Sequence, residues 1–435
     1  MKIKRISSFI IAVAALLPVQ SCVKDQQDVF PTSSSERLQA YLAEAKQILT
    51  SSETGWIMEY YPGSGQKLGG YAYYLTFTDE EVDAMYELEP DNTYTSLYKM
   101  TADNGPVLSF DTYNPALHYF ATPSSSLYQA RGGDFEFTIT SVSPEKIGLR
   151  GKRSGNHYDL YPYTSDMAPE EYLAKVSEMA GSMRAAILKG KIGETEVDGT
   201  VDFDTRRITF TYGGTAASVK SGDATDDGKI KVEVPYMYTP DGIKAYEPVE
   251  VAGYTFEHMF YYPANNVLTS GSVEFAGSLP EDFTAFKDFA GEYTLSMYNG
   301  KLTYDVTLAP DSEGTGYVMS GLLGGGHDVA LGYNSARGRL TMNAQAVGAD
   351  GSNTVYLAAW SLEKEGGNLF VDEVYGMEIV RDLKTGKFKF VDNGQSDSVI
   401  DSFILWGITS AGGSAGEFKG WGDSQFPYLE TLTRK

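Results

Sequence analysis

Apolar positions change their spacing along the chain, and the changes mark out its elements. Leu38, Tyr41, Leu42, Ala45, Ile48 and Leu49 fall at i, i+3, i+4, i+7, i+10 and i+11, the stripe of an amphipathic helix. Ser33 and Glu36 stand at capping-box spacing before it, and Gly55 lies just past its end. From Trp56 to about Tyr163 the period drops to two. "GWIMEYY", "GGYAYYLTF", "TSLYKMT", "PVLSFDTY", "ALHYFAT", "GDFEFTIT" and "KIGLRGK" are short aromatic and β-branched runs separated by Gly, Pro, Asn and Asp, which predicts antiparallel strands. In "YAYYLTF" the alternation places Tyr71, Tyr73, Leu75 and Phe77 on an inward face and Tyr74 opposite.

Helical spacing returns over 167–189. Pro169, Glu170 and Glu171 suit a first turn, and Leu173, Val176, Met179, Ala180, Met183 and Ile187 form a stripe that Gly190 closes. Strand runs resume with "TEVDGTVDFD", "RRITFTYGG", "KIKVEVPYMY" and "GYTFEHMFYY". "SLPEDFTAFKDFAG" then reads as a short connecting helix at a boundary, followed by a further all-β block. "LSFDTYNPALHYF", "VDFDTRRITF", "LGYNSARGRLTM" and "IVRDLKTGKFKF" share a strand–polar turn–strand pattern and read as hairpins. Their spacing is too irregular for a solenoid or propeller. The fold class expected is mainly β (α+β): antiparallel meander or barrel domains with an N-terminal helix and one long central helix, then a smaller C-terminal β-barrel or sandwich.

The N-terminus has its own pattern. Lys2, Lys4 and Arg5 precede a short apolar core from Phe9 to Leu17, the layout of an export signal over 1–21. That core is far shorter than the roughly 20 residues needed to cross a bilayer. "VQSC" ends on Cys22, the single cysteine of the chain, and resembles the bacterial lipobox, in which the cysteine becomes the acylated first residue of the mature protein. Residues 22–35, "CVKDQQDVFPTSSS", read as a flexible tether. Residues 36–280 read as a helix plus an antiparallel β domain interrupted by the helix at 167–189, and 281–435 as a C-terminal β domain.

Charge and cysteine usage narrow the chemistry. The net charge is −23, and loss of a leader carrying Lys2, Lys4 and Arg5 takes it to −26. An acidic chain of this kind has no basic face for nucleic acid. With Cys22 taken by lipid, neither a disulfide nor a thiolate site remains.

His118, His157, His258 and His327 are far apart and show no metal-ligand spacing. "GLLGGGHD" (321–328) lacks the lysine and helix of a phosphate loop and reads as a plain loop. Asp223-x-Thr225-x-Asp227-Gly228 opens like a calcium loop, but Val234 stands where the bidentate Glu belongs and a strand follows, so a hairpin turn is expected. No metal and no cofactor is expected.

Asp111, Asp134, Glu136 and Asp159 are the carboxylates that could be paired for glycoside hydrolysis. Tyrosine is abundant, at 31 residues. Aromatics on a rigid β scaffold can hold sugar faces or peptide side chains. Tyr113, His118 and Trp421 are the candidate ligand contacts, Trp421 being the aromatic expected to be exposed.

The series "SERLQAYL…GWIMEYYP…GGYAYYLTF…VLSFDTYNPALHYF…GGDFEF…IGLRGKRSGN" resembles a Bacteroidota outer-membrane surface lipoprotein family known chiefly as a domain of unknown function, over roughly residues 22–260. Members are typically encoded beside SusC-like TonB-dependent transporters and SusD-like binding proteins. The resemblance implies a lipid-anchored accessory protein at the outer membrane, held by acyl chains on Cys22 and facing the cell exterior. It implies service to a SusC/SusD-like nutrient-uptake complex by binding glycan or peptide, or by scaffolding, without catalysis. It supplies no catalytic residue. A surface hydrolase with a carboxylate site and an adhesin or fimbrial-type subunit are the alternatives.

Overall fold

The computed structural model describes residues 32–123, 130–214, 223–224, 228–335, 337–363, 367–396 and 398–435. Cys22 and the stretch read as an export leader lie outside the described residues, as do most of the stretch read as a tether and Thr225 to Asp227 of the calcium-like run. The protein is mainly β, with β-barrels and sheets and a smaller C-terminal β part.

The first helix, α1 (Ser34–Ser51), begins as its sequence requires. Ser33 Oγ accepts from the Glu36 N–H at 3.2 Å, and the Glu36 carboxylate accepts from the Ser33 N–H at 2.9 Å. Leu42, Ala45 and Leu49 are its buried stripe. They pack on the inner face of a nine-stranded antiparallel sheet whose central strands are Tyr71–Phe77, Trp56–Tyr60, His157–Pro162 and Ile147–Gly151, in that order. The edge strands of this sheet, Glu89–Leu97 and Lys99–Ala102, are consecutive in the chain with Tyr98 alone between them. Tyr71, Tyr73, Leu75 and Phe77 all face α1, while Ala72 and Tyr74 point to the opposite side.

That opposite side is covered by the second unit. Here the helix α3 (Pro169–Ser182) and nine further strands form a ladder, and Arg207–Gly213 pairs with both Thr195–Asp202 and Lys229–Thr239. Eight of the strands thus close on themselves. Leu173, Val176 and Met179 of the helix share one core with Leu188, Phe210, Tyr236 and Phe275 of the ladder and with Ala72 and Met85 of the first sheet.

Several local expectations are corrected. The helix expected over 167–189 spans Pro169–Ser182 only. Met183 caps it in extended conformation, and Ile187 and Gly190 belong to the strand Ile187–Ile192. The stripe reads past the helix end because Met183, beyond it, is buried in the same core, whereas in the strand it is Leu188 that turns inward and Ile187, the stripe's last residue, is half-buried. "ALHYFAT" is not a strand: Pro115–His118 form a single helical turn, α2, because the Asn114 side chain caps the N–H groups of Ala116 and Leu117. "LSFDTYNPALHYF" is therefore no hairpin, whereas the other three such segments pair as hairpins. The connecting helix expected around 278–290 is a three-residue 3-10 turn, Phe286–Asp288.

Beyond that turn, eight strands close into a second barrel beside a six-stranded sheet. Phe289 is fully buried at the barrel end, against Tyr317, Tyr333 and Phe388. The connecting segment is thus a plug in the mouth of the barrel.

Candidate functional site

Three cavities lie at the junction between the first sheet and the second unit, and the central one shares lining residues with each of the other two. The central one has a volume of about 280 Å³ and is lined by Glu59, Lys146, His157, Asp159 and Tyr246 among others. A flanking cavity of about 420 Å³ continues from Glu59 to Tyr161, Tyr163, Tyr172, Lys244 and Glu257. Another of about 480 Å³ continues from His157 and Tyr246 to Asn156, Glu233 and Pro248. Together they form one polar, tyrosine-walled groove.

Strand alternation supplies the first wall. In Trp56–Tyr60 the residues Trp56, Met58 and Tyr60 point at α1, which turns Ile57 and Glu59 outward. In His157–Pro162, Tyr158 and Leu160 point inward and His157, Asp159 and Tyr161 outward. The two strands pair antiparallel with Glu59 opposite Asp159, so two carboxylates stand side by side on the groove face. Gly148 lies opposite Asp159 on the next strand. A Cβ there would come within 2.6 Å of Ser141 Oγ and 2.8 Å of Thr140 Oγ1, so the glycine keeps the floor open.

The second wall comes from an irregular strand. Gly242–Val251 pairs regularly with its neighbour up to Lys244 and again from Val249, and the residues between bulge out of the ladder. The bulge turns Tyr246 toward the first sheet. Its hydroxyl accepts from the His157 N–H at 2.8 Å, and its ring meets Tyr61 edge-on at 4.6 Å.

Charge inside the groove is paired. Lys244 contacts the Glu59 carboxylate, and Lys146 Nζ donates to Asp159 Oδ2 at 3.2 Å. The Tyr161 hydroxyl donates to the same Asp159 oxygen at 3.2 Å, and the Lys244 ammonium lies 4.9 Å from the Tyr161 ring centre. Burial pushes the Glu59 carboxyl up, Lys244 works against that, and Asp159 and Glu257 add to it. Burial, reinforced by Glu59 and Asp159, also raises the Tyr161 phenol. The groove thus presents hydroxyls, carboxylates, ammonium groups and ring faces, the functional groups that hold a polyhydroxylated ligand.

A family profile described as Domain of unknown function (DUF4302) matches residues 26–263, more than half of the chain. The chain belongs to that family. The groove is built wholly from residues within the DUF4302 stretch, whereas residues 268–406 match a second profile described as Domain of unknown function. No curated protein matches the chain. Among solved structures, the β subunit of DNA polymerase from Streptococcus pyogenes is 11% identical, with 92% of this chain and 98% of that one covered and a TM-score of 0.11. DNA polymerase III subunit β from Borrelia burgdorferi is 10% identical, with 86% and 85% covered and a TM-score of 0.09. Trypanosoma rangeli sialidase in complex with sialic acid is 10% identical, with 83% and 62% covered and a TM-score of 0.12. At such scores none of them bears on the fold or function of a DUF4302 protein.

The residues singled out from the sequence are dispersed. Asp159 alone of the four carboxylates lines the groove. Asp134 is buried and structural, accepting from the Tyr158 hydroxyl at 2.8 Å and the Arg153 N–H at 2.6 Å. Asp111 pairs with Lys99 at the surface, and Glu136 is half-buried in its strand. Tyr113 is exposed and leans on His118, whose buried ring also stacks on Phe135 at 5.1 Å. Trp421, expected to be exposed, is half-buried: it stacks on His327 with ring centres 3.6 Å apart and packs on Phe418. Gly348 leaves the room it needs, since a Cβ there would lie 2.4 Å from the indole. Glu59, Tyr246 and Lys244 were not singled out, and the alternation of "GWIMEYY" was the one signal that turned Glu59 away from the core.

Proposed function

We propose that the protein is a lipid-anchored surface component of an outer-membrane nutrient-uptake system that holds an oligosaccharide in the groove between its first two units without turning it over. The observation that carries this reading is the groove itself, where the partly exposed Tyr161, Tyr172 and Tyr246 stand among Glu59, Asp159, Lys146 and Lys244. Ring faces suit the apolar faces of sugars, and paired charges suit their hydroxyls. Both carboxylates are tied to lysines, which favours holding a ligand over giving or taking its protons. The lipobox-like Cys22 and its tether support attachment at the membrane, and the likeness to proteins encoded with SusC/SusD-like transporters supports that partner.

Calorimetric titration of the chain from residue 23 with a panel of neutral and charged oligosaccharides tests the ligand. Binding that drops about tenfold or more in Tyr246→Ala is the expected result, equivalent to about 1.4 kcal/mol. No binding across the panel would count against it. Release of shorter sugars, abolished by Glu59→Gln or Asp159→Asn, would replace holding by hydrolysis, since neighbouring carboxylates are the machinery of a retaining glycosidase. A mild-detergent pull-down from native outer membranes, with the co-purifying proteins identified by mass, tests the partner: a SusC/SusD-like pair in near-equal amount is expected.

A further inference from the structure

A second cavity, of about 540 Å³, lies at the plugged mouth of the C-terminal barrel. Its walls come from the plug (Thr284 and Asp288), from Tyr293, from the hairpin bearing Arg381 and Lys387, and from Arg434 near the C-terminus. Three cations against one carboxylate, that of Asp288, thus line one space in a chain with 58 acidic and 35 basic residues. None of the three forms an ion pair among the described residues. Arg434 is aimed by neutral oxygens instead: its guanidinium donates to the Asp288 carbonyl at 2.6 Å and to the Tyr293 hydroxyl at 2.9 Å. The carboxylate of the hairpin turn, Asp382, is occupied by the Lys384 N–H and the Thr385 hydroxyl.

We infer that this cavity is a binding site for a carboxylate-bearing ligand of monosaccharide size, such as a sugar acid, with Arg381, Lys387 and Arg434 receiving the carboxylate. The planar fork of arginine matches a carboxylate in two parallel hydrogen bonds, and the volume is within the range of small-ligand sites. The site is independent of the groove: it lies in another unit and takes an anion.

The test is titration of the whole chain with D-galacturonate, with citrate and with neutral galactose, at low and high salt. Galacturonate is expected to bind while galactose binds about tenfold more weakly or worse, and added salt is expected to weaken the acid alone. The double variant Arg381→Ala/Lys387→Ala changes exposed residues, so it keeps the melting temperature and is expected to lose about tenfold in affinity or more. Citrate binding as tightly as galacturonate identifies the source as any small carboxylate and keeps the site. No carboxylate bound at millimolar concentration, galactose bound equally, or full affinity in the double variant would overturn the assignment.

Discussion

Arg206 and Glu87 meet in the junction between the first two units, with Arg206 Nη2 2.6 Å from Glu87 Oε1 and both side chains almost wholly buried. Glu87 Oε1 takes no aligned hydrogen bond, so this contact is coulombic, while Oε2 accepts from the Ala72 N–H at 2.7 Å. The guanidinium also donates to the Gly70 carbonyl and lies 3.7 Å from the Tyr71 ring centre. Removing one partner strands a buried charge, so Arg206→Ala is expected to destabilise by about 3–5 kcal/mol in urea unfolding. Replacing both partners by apolar residues is expected to cost far less. His118 makes a pH-dependent contribution. Burial depresses its pKa below the ordinary 6.5, so the folded state holds the ring neutral. The contribution is fully present above about pH 6.5 and is lost as pH falls through the lowered folded value. Unfolding midpoints measured across that window are expected to decline with acid, and less steeply in His118→Phe.

At the level of elements, the groove depends on one flat strand position and one irregular strand. Gly148→Val would fill the floor beside Asp159 and is expected to lower oligosaccharide affinity about tenfold or more, with only a modest drop in melting temperature, because Ser141 and Thr140 can swing aside. Titration and a melting curve on the same sample check both halves. Period and capping made much of this layer readable: the capping box of α1, the inward face of Tyr71–Phe77 and three of four hairpins follow from local spacing. The site was not readable in the same way. Glu59 meets Lys244 across 185 residues of chain, and Tyr246 reaches His157 across 89, contacts that no local period encodes. Trp421 misled because a Gly-rich neighbourhood reads as loop, whereas here the glycines let an indole pack close. The stripe of α3 overran its end because a helix and a strand can point successive residues into the same core.

Across the whole molecule, the joints differ in kind. The first two units share a core and buried pairs. The C-terminal part is joined to them through partly exposed charges, among them Arg337 with Asp202 and Arg131 with Glu373. Such pairs are weak and screened by salt. Calorimetry is therefore expected to show two unfolding transitions, the first two units melting as one, with the separation growing as salt is added. A single salt-independent transition would mean that the joint is stronger than its contacts suggest.

The closure of the ladders has a consequence for crowded surroundings. Sheets commonly stick to one another where a bare strand offers its backbone to a neighbour. In the second unit and the C-terminal barrel the main ladder runs back into itself. In the first sheet the two outermost strands are joined through Tyr98, whose ring is anchored by its hydroxyl to the Thr78 carbonyl. Copies packed side by side at high density thus find few strands to zip onto at those two ladders, which leaves the outer strands of the first sheet and of the six-stranded sheet as the places where such pairing would start.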